Sequence, residues 1–289
     1  MCRSFVFGEA ALVTLPLVAN ISLLFAEVPY EQRFARAAAA GFTAVETWWP
    51  WPTPVPPPGG EDFLVDALES AGLRLAGLNL YGGDLGAGVR GIASDPSLRG
   101  EFDANLDAVV AIARRTGCPV FNTLYGQRRP DLSDADQDAV AIANLTTAAR
   151  RLGDVGGTSL VEALGRGLNG AYPIETAADA ARVVEQVRDA GGEAIGFLYD
   201  TFHLTTSGDD LLAAVDAHVG LIAHVQIADA PGRGEPGTGT VDVPAVVEHL
   251  WDKGYRGAVA AEYKPTVPTE ESLGWLAGVP HLQPLRSSG

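Results

Sequence analysis

The sequence is short of sulfur, of positive charge and of long apolar runs, and each shortage excludes something. Cysteine occurs at positions 2 and 118, with no Cys-x-x-Cys spacing. That rules out a disulfide framework and fits a reducing, cytoplasmic compartment. Lys and Arg number 20 against 36 Asp and Glu, a formal net charge of −16. A nucleic-acid binder needs a basic stripe to replace phosphate counterions, so that partner is not expected. An anionic small substrate stays admissible, because a bound metal and one or two Arg or Lys reverse the potential locally. No uninterrupted apolar run reaches the roughly 18–20 residues that cross a bilayer, and no membrane association is expected. The N-terminus is apolar, but it has a single Arg, Glu9 interrupts it and no small-x-small cleavage site follows. Residues 1–16 therefore read as a short extension before the first strand rather than a secretory signal.

What is present is an ordinary globular composition, with 47% hydrophobic and 19% charged residues in 289. Short apolar runs rich in β-branched residues alternate with longer Ala-rich segments of helical period, the pattern of a parallel sheet. The expected strands are Leu17–Leu24, Thr43–Thr47, Leu73–Asn79, Pro119–Leu124, Thr158–Glu162, Ile195–Asp200, Leu221–Ile227 and Gly257–Glu262. The expected helices are Tyr30–Ala40, Glu61–Ala71, Glu101–Thr116, Asp134–Leu152, Ala177–Ala190, Asp209–His218, Val243–Lys253 and Glu270–Ala277. Several stop at a glycine suited to a left-handed C-cap: Gly41, Gly72, Gly117, Gly191 and Gly254. Eight strand–helix repeats fit a closed (β/α)₈ barrel, and no Gly-x-Gly-x-x-Gly follows the first strand to favour a dinucleotide fold. No linker divides the chain. It reads as one barrel domain with a tail over residues 278–289, and the Pro-rich stretch Pro50–Pro58 as a rigid loop.

In such a barrel the chemistry gathers at the C-terminal ends of the strands. Four consecutive expected strands end at or beside a residue able to ligate a metal: Glu162, Asp200, Gln226 and Glu262. A single carboxylate there reads equally well as a helix N-cap. Four on adjacent strands converge on one point, where the carboxylates would repel one another without a cation. Three carboxylates and an amide oxygen form a hard-ligand set, which favours Mg²⁺ or Mn²⁺, with Co²⁺ a further candidate, over Zn²⁺.

His203, three residues past Asp200, is placed to touch a substrate oxygen, although a packing or capping role fits equally. His224, two residues before Gln226, shares its side of the strand and reads as a hydrogen-bonded core residue. The loop Asp229–Gly239 is too rich in Gly and Pro for helix and too charged for core. Arg233 within it is an expected substrate contact and Glu235 its orienting partner. The loop from Asn79 through Ala93 has the same character and reads as a rim or lid.

Together these pieces resemble the hydroxypyruvate isomerase family, within the wider xylose isomerase-like barrels that include ketose 3-epimerases. The matching pieces are Ala19–Phe25, Gly83-Asp84 with Gly88-x-Arg90-Gly-Ile-Ala93, and Asn122-x-Leu124-x-Gly126. Further on come Tyr199-Asp200-x-x-His203, His224–Asp229, Arg233–Gly239 and Glu262-Tyr-Lys-Pro265. The resemblance implies one divalent metal on Glu162, Asp200, Gln226 and Glu262, with the two glutamates as acid and base. It implies substrate contacts from His203 and Arg233, to which Glu235, Asn79 and Lys264 are added. It also implies a homo-oligomer and a small hydroxy-keto acid or sugar substrate, isomerised between aldehyde and ketone through an enediolate. Hydroxypyruvate to tartronate semialdehyde is the expected reaction; 2-oxo-tetronate isomerisation, ketose 3-epimerisation and a non-catalytic metabolite-binding barrel are the alternatives. A DNA-repair endonuclease on the same barrel is disfavoured, since it needs a His-rich zinc site and a basic face. One segment departs from the family pattern. Where Glu-Pro-x-Asn is usual, the chain reads Glu162-Ala-Leu-Gly165, Arg166–Ala171 is also unusual, and Leu78 stands where a His is common. These changes bear on the substrate, not on the fold or the metal.

Overall fold

The computed structural model describes residues 14–283 together with Leu285 and Arg286. Most of the expected N-terminal extension, including Cys2, lies outside them. Eight parallel strands close into a barrel in sequence order, and helices follow them in the chain. The elements are β1 (Leu17–Asn20), α1 (Tyr30–Ala39), β2 (Ala44–Thr47), α2 (Gly60–Ala71), β3 (Arg74–Asn79), α3 (Arg99–Thr116), β4 (Val120–Asn122), α4 (Asp134–Gly153) and β5 (Thr158–Glu162). They continue with α5 (Ala177–Asp189), β6 (Ile195–Asp200), α6 (Thr201–Ser207), α7 (Leu211–His218), β7 (Ile222–Ile227), α8 (Val243–Asp252), β8 (Val259–Ala261) and α9 (Thr269–Ser272).

Local chemistry accounts for the helix ends. The Ser133 hydroxyl accepts the Asp136 N–H at the start of α4, and Thr176 with Asp179 forms a capping box on α5. Asp242 caps α8 by accepting from the Ala245 N–H. All five glycines expected to end helices have positive φ.

Three expectations differ from the structure. The apolar run after Asn20 leaves the ladder, so β1 is shorter than the run suggests. The last helix is one α-turn followed by a 3₁₀ segment, Leu273–Gly278. The short α6 was not expected, and it follows β6 directly because Asp200 caps it.

The barrel interior has two levels, which follow from the two-residue period of a strand. Lower down sit small and apolar side chains, Val18, Ala44 and Ala260 in one cluster and Val120, Leu160 and Leu198 in another, separate from the main core under the helices. Two residues further along the same strands stand Asn20, Glu46, Glu262, Asn122, Glu162 and Asp200, all buried. On β7 the pair is His224 and Gln226. Every strand of this set thus ends by turning a polar side chain into the barrel mouth.

Candidate active site

The four expected ligand residues meet at that mouth, and each is held by a neighbour. Asn122 Nδ2 donates to Glu162 Oε2 at 2.6 Å. Asn20 Nδ2 and Trp48 Nε1 both donate to Glu262 Oε1, each at 2.8 Å. Gln226 Nε2 donates to Glu46 Oε1 at 2.7 Å, and His224 Nε2 lies 2.6 Å from Glu46 Oε2. Asp200 accepts the His203 N–H on Oδ1 at 3.0 Å. One oxygen thus caps a helix, while the other, Oδ2, lies 3.6 Å from Arg233 Nη2.

Within this set of four, two oxygens stay buried with no hydrogen-bond partner among the described residues, Asp200 Oδ2 and Gln226 Oε1. An unsatisfied buried acceptor costs about 1–3 kcal/mol, so a pair of them beside two more carboxylates is a site built for something positive. The residues fit a divalent, oxygen-preferring cation: three carboxylates and an amide whose nitrogen is already engaged, leaving its oxygen free. Burial pushes the Glu162 carboxyl up to about 8, and the charge of Asp200 adds to the shift. Burial also raises Glu262 well above the usual carboxylate range, against the pull of Arg233. Both shifts come first from burial and then from the crowding of negative charge, which a cation relieves.

Arg233 reaches this cluster from the loop after β7. Its Nη2 donates to Glu262 Oε2 at 2.5 Å and lies 3.6 Å from Asp200 Oδ2. Burial works against its charge, yet Glu262, Asp200 and Glu162 hold its pKa above the ordinary value. The loop is pinned by Asp229, which accepts the backbone N–H groups of Ala230, Gly237, Gly239 and Val241. Glu235 does not orient Arg233: its carboxylate accepts from the backbone N–H and hydroxyl of Thr266 instead. Lys264 has an exposed side chain and takes part through its backbone, donating to the Arg233 carbonyl at 2.7 Å.

His203 stands beside the ligand set, with Nε2 3.7 Å from Glu162 Oε1 and 3.9 Å from Asp200 Oδ2. These three side chains are close enough to share a metal, but the ring's other nitrogen argues otherwise. Nδ1 accepts the Gly165 N–H at 2.9 Å, so the neutral ring carries its proton on Nε2, facing the site. A protonated Nε2 donates a hydrogen bond and cannot ligate. Burial lowers the His203 pKa to about 4, against the opposing pull of Asp200, which keeps the ring neutral. Gly165 leaves close room for this contact: a Cβ there would sit 3.0 Å from Thr206 and 3.3 Å from His203 Nδ1. The departing segment Glu162-Ala-Leu-Gly165 is thus built around the histidine.

Above the cluster lies a cavity of about 140 Å³ lined by Trp48, Asn79, Leu85, Arg90, Leu164 and Asn169 together with Glu162, His203, Arg233 and Glu262. Asn79 is therefore at the site, as expected. The residues missed from the sequence are Glu46 and Trp48 as supports or lining, with Asn20, Asn122 and Arg90 noticed only within matching pieces and Asn169 only within the departing stretch. Glu46 and Asn122 carried the same signal as the four ligands, a polar residue ending an apolar strand.

An eight-stranded parallel barrel with such a site at its C-terminal mouth belongs to a recognised class: the family model described as xylose isomerase-like TIM barrel matches residues 34–279. The hydroxypyruvate isomerase of Escherichia coli is 31% identical over 258 residues, covering 89% of this chain and 96% of that one. A Streptomyces coelicolor protein, provisionally named a hydroxypyruvate isomerase, is 44% identical over 261 residues, covering 89% and 94%. A crystal structure described as an AP endonuclease, family 2, from Brucella melitensis superposes with a TM-score of 0.83 at 31% identity, covering 91% and 98%. The chain belongs to the hydroxypyruvate isomerase family and is an isomerase.

Proposed function

We propose that the enzyme interconverts hydroxypyruvate and tartronate semialdehyde, or a close hydroxy-keto acid analogue such as 2-oxo-tetronate, through an enediolate with one divalent metal, Mg²⁺ or Mn²⁺. The observation that carries this reading is the pair of unpartnered buried oxygens, Asp200 Oδ2 and Gln226 Oε1, set among Glu162 and Glu262. These four residues would hold the metal, which when bound supplies a Lewis acid for the substrate's neighbouring carbonyl and hydroxyl oxygens.

The chain's own residues supply the proton chemistry. One of Glu162 and Glu262 takes the proton from the carbon bearing the hydroxyl, and a proton returns to the former carbonyl carbon. Well-placed transfer of this kind is worth roughly 10²–10⁴-fold. Asn122 fixes the first glutamate, and Asn20 with Trp48 fixes the second. His203 donates from Nε2 to a substrate oxygen as charge develops there. Leu85, Leu124 and Leu164 line the cavity and limit water around the enediolate. A nuclease reading has no such support, given a net charge of −16 and a neutral histidine whose site-facing nitrogen carries the proton.

The test is conversion of hydroxypyruvate by the purified enzyme with Mg²⁺, Mn²⁺ or Co²⁺, followed for isomer and epimer products and repeated after chelation. Isomer formation that disappears with the metal supports the proposal. No turnover of hydroxypyruvate or 2-oxo-tetronate with any of the three metals would sink it.

A further inference from the structure

The cavity is lined by two arginines in different electrostatic situations. Arg233 is matched by Glu262 and Asp200. Arg90 has no carboxylate partner among the described residues, although the protein carries a large excess of acid. Its Nε donates to Asn169 Oδ1 at 3.1 Å, and its Nη1 donates to the carbonyls of Leu85 and Val89 at 2.9 and 2.8 Å. That leaves Nη2, with two N–H donors, without a partner among the described residues. A half-buried guanidinium oriented by neutral acceptors keeps its charge uncompensated, and this one is felt at His203, where it works against protonation of the ring.

The support for Arg90 is rigid. Gly91, at φ +101°, brings the chain so close to β4's following loop that a Cβ would lie 2.4 Å from the Leu124 carbonyl oxygen. Gln127 ties the neighbouring loops together, donating to the carbonyls of Gly88 and Asn169 at 3.1 and 2.8 Å. Asn169 lies within Arg166–Ala171, the stretch that departs from the family pattern. Asn169 sets an amide, not an acid, against Arg90, which leaves the cation available to a ligand.

We propose that Arg90, positioned by Asn169, receives the carboxylate of the substrate and so selects hydroxy-keto acids over uncharged ketoses. The carbonyl and hydroxyl end then lies toward Glu162, Asp200, Gln226 and Glu262, and the acid end toward the rim. Charge-assisted pairing of a planar guanidinium with a carboxylate is the strong form of hydrogen bond, and a lysine does not reproduce its fork. The assignment rests on the keto-acid reading of the site, but its test separates the two.

The experiment measures binding of glycerate and of glycerol to the full-length enzyme by calorimetry, and KM and kcat for hydroxypyruvate and dihydroxyacetone. Arg90→Gln should weaken glycerate and raise the KM for hydroxypyruvate by about 10- to 100-fold, with kcat and both uncharged ligands little changed. Asn169→Asp, which hands Arg90 an internal carboxylate and removes no cation, should weaken glycerate in the same sense. Equal effects on charged and uncharged ligands would reduce Arg90 to a loop brace and overturn the assignment. So would unchanged glycerate binding in Arg90→Gln, or an unaltered enzyme with no preference for glycerate over glycerol. Arg90-dependent glycerate binding in an enzyme that isomerises no hydroxy-keto acid would uphold Arg90 and reject the proposed reaction.

Discussion

Glu46 receives the side-chain amide N–H of Gln226 at 2.7 Å, and this contact decides which end of Gln226 faces the metal site. An amide presents either a donor or an acceptor to a neighbour. With its nitrogen held by a carboxylate, Gln226 keeps its oxygen, the end that a cation binds, buried and free of hydrogen bonds. Glu46 also accepts from Asn20 and His224, so three donors converge on it. Glu46→Gln would put an amide N–H₂ group among those donors. We expect metal affinity to fall by about 10- to 100-fold, as for other residues that orient a ligand, and calorimetric titration with Mn²⁺ checks it. Affinity within twofold of the unaltered enzyme would show that Gln226 is oriented by something else.

Replacing either glutamate of the proposed acid–base pair removes proton transfer without removing volume. Glu162→Gln and Glu262→Gln should each lower kcat by about 10²–10⁴-fold, while the far-ultraviolet circular dichroism stays unchanged. Near-normal turnover in both variants would remove the pair from the mechanism.

The metal-free enzyme should lose stability as the pH rises from about 6.5 to 8. Glu162 titrates near 8 when folded against an ordinary 4.5, so the native state binds the extra proton between those values and stability falls with rising pH there. The raised Glu262 acts in the same direction. His203, lowered from 6.5 to about 4, acts oppositely, and only below 6.5. The two effects oppose each other in the acid range, leaving the carboxylates to act alone above it. Thermal unfolding in chelator across this window should show a declining Tm, and added Mn²⁺ should remove the decline by holding the carboxylates charged. A Tm that rises in chelator would contradict the assignment.

Gly165→Ala should disturb His203 more than it disturbs the fold. The added methyl meets Thr206 and the ring nitrogen that accepts the Gly165 N–H. Overpacking of this kind costs about 1–3 kcal/mol, and the methyl presses on the ring as well as on Thr206. Steady-state kinetics should show a lower kcat/KM together with a modest drop in Tm. A full loss of folded protein would mean that the glycine serves the barrel instead.

Much of this molecule could be read from one chain. The alternation of strand and helix, the closure into a barrel and the four candidate ligands at or beside the ends of β5 to β8 all follow local patterns that survive folding. The supports did not come through, for a physical reason: Asn20 and Glu262 are 242 positions apart, and nothing local marks Asn20 as different from the end of any strand. Glu235 shows the opposite error. Nearness in sequence suggested a partner for Arg233, but Arg233 has a left-handed backbone (φ 60°) and its side chain enters the mouth, while Glu235 folds back on Thr266. Had the apolar-then-polar ending been followed around all the strands, Glu46 and Asn122 would have joined the set.

Asn20 bonds both Glu46 and Glu262, and so sits astride the seam where the first strand of the barrel meets the last. During synthesis the proposed metal site therefore stays incomplete until β8 has left the ribosome and docked. A truncated or half-assembled barrel would hold carboxylates without the amides that aim them. The last strand to be made thus completes the proposed site along with the fold.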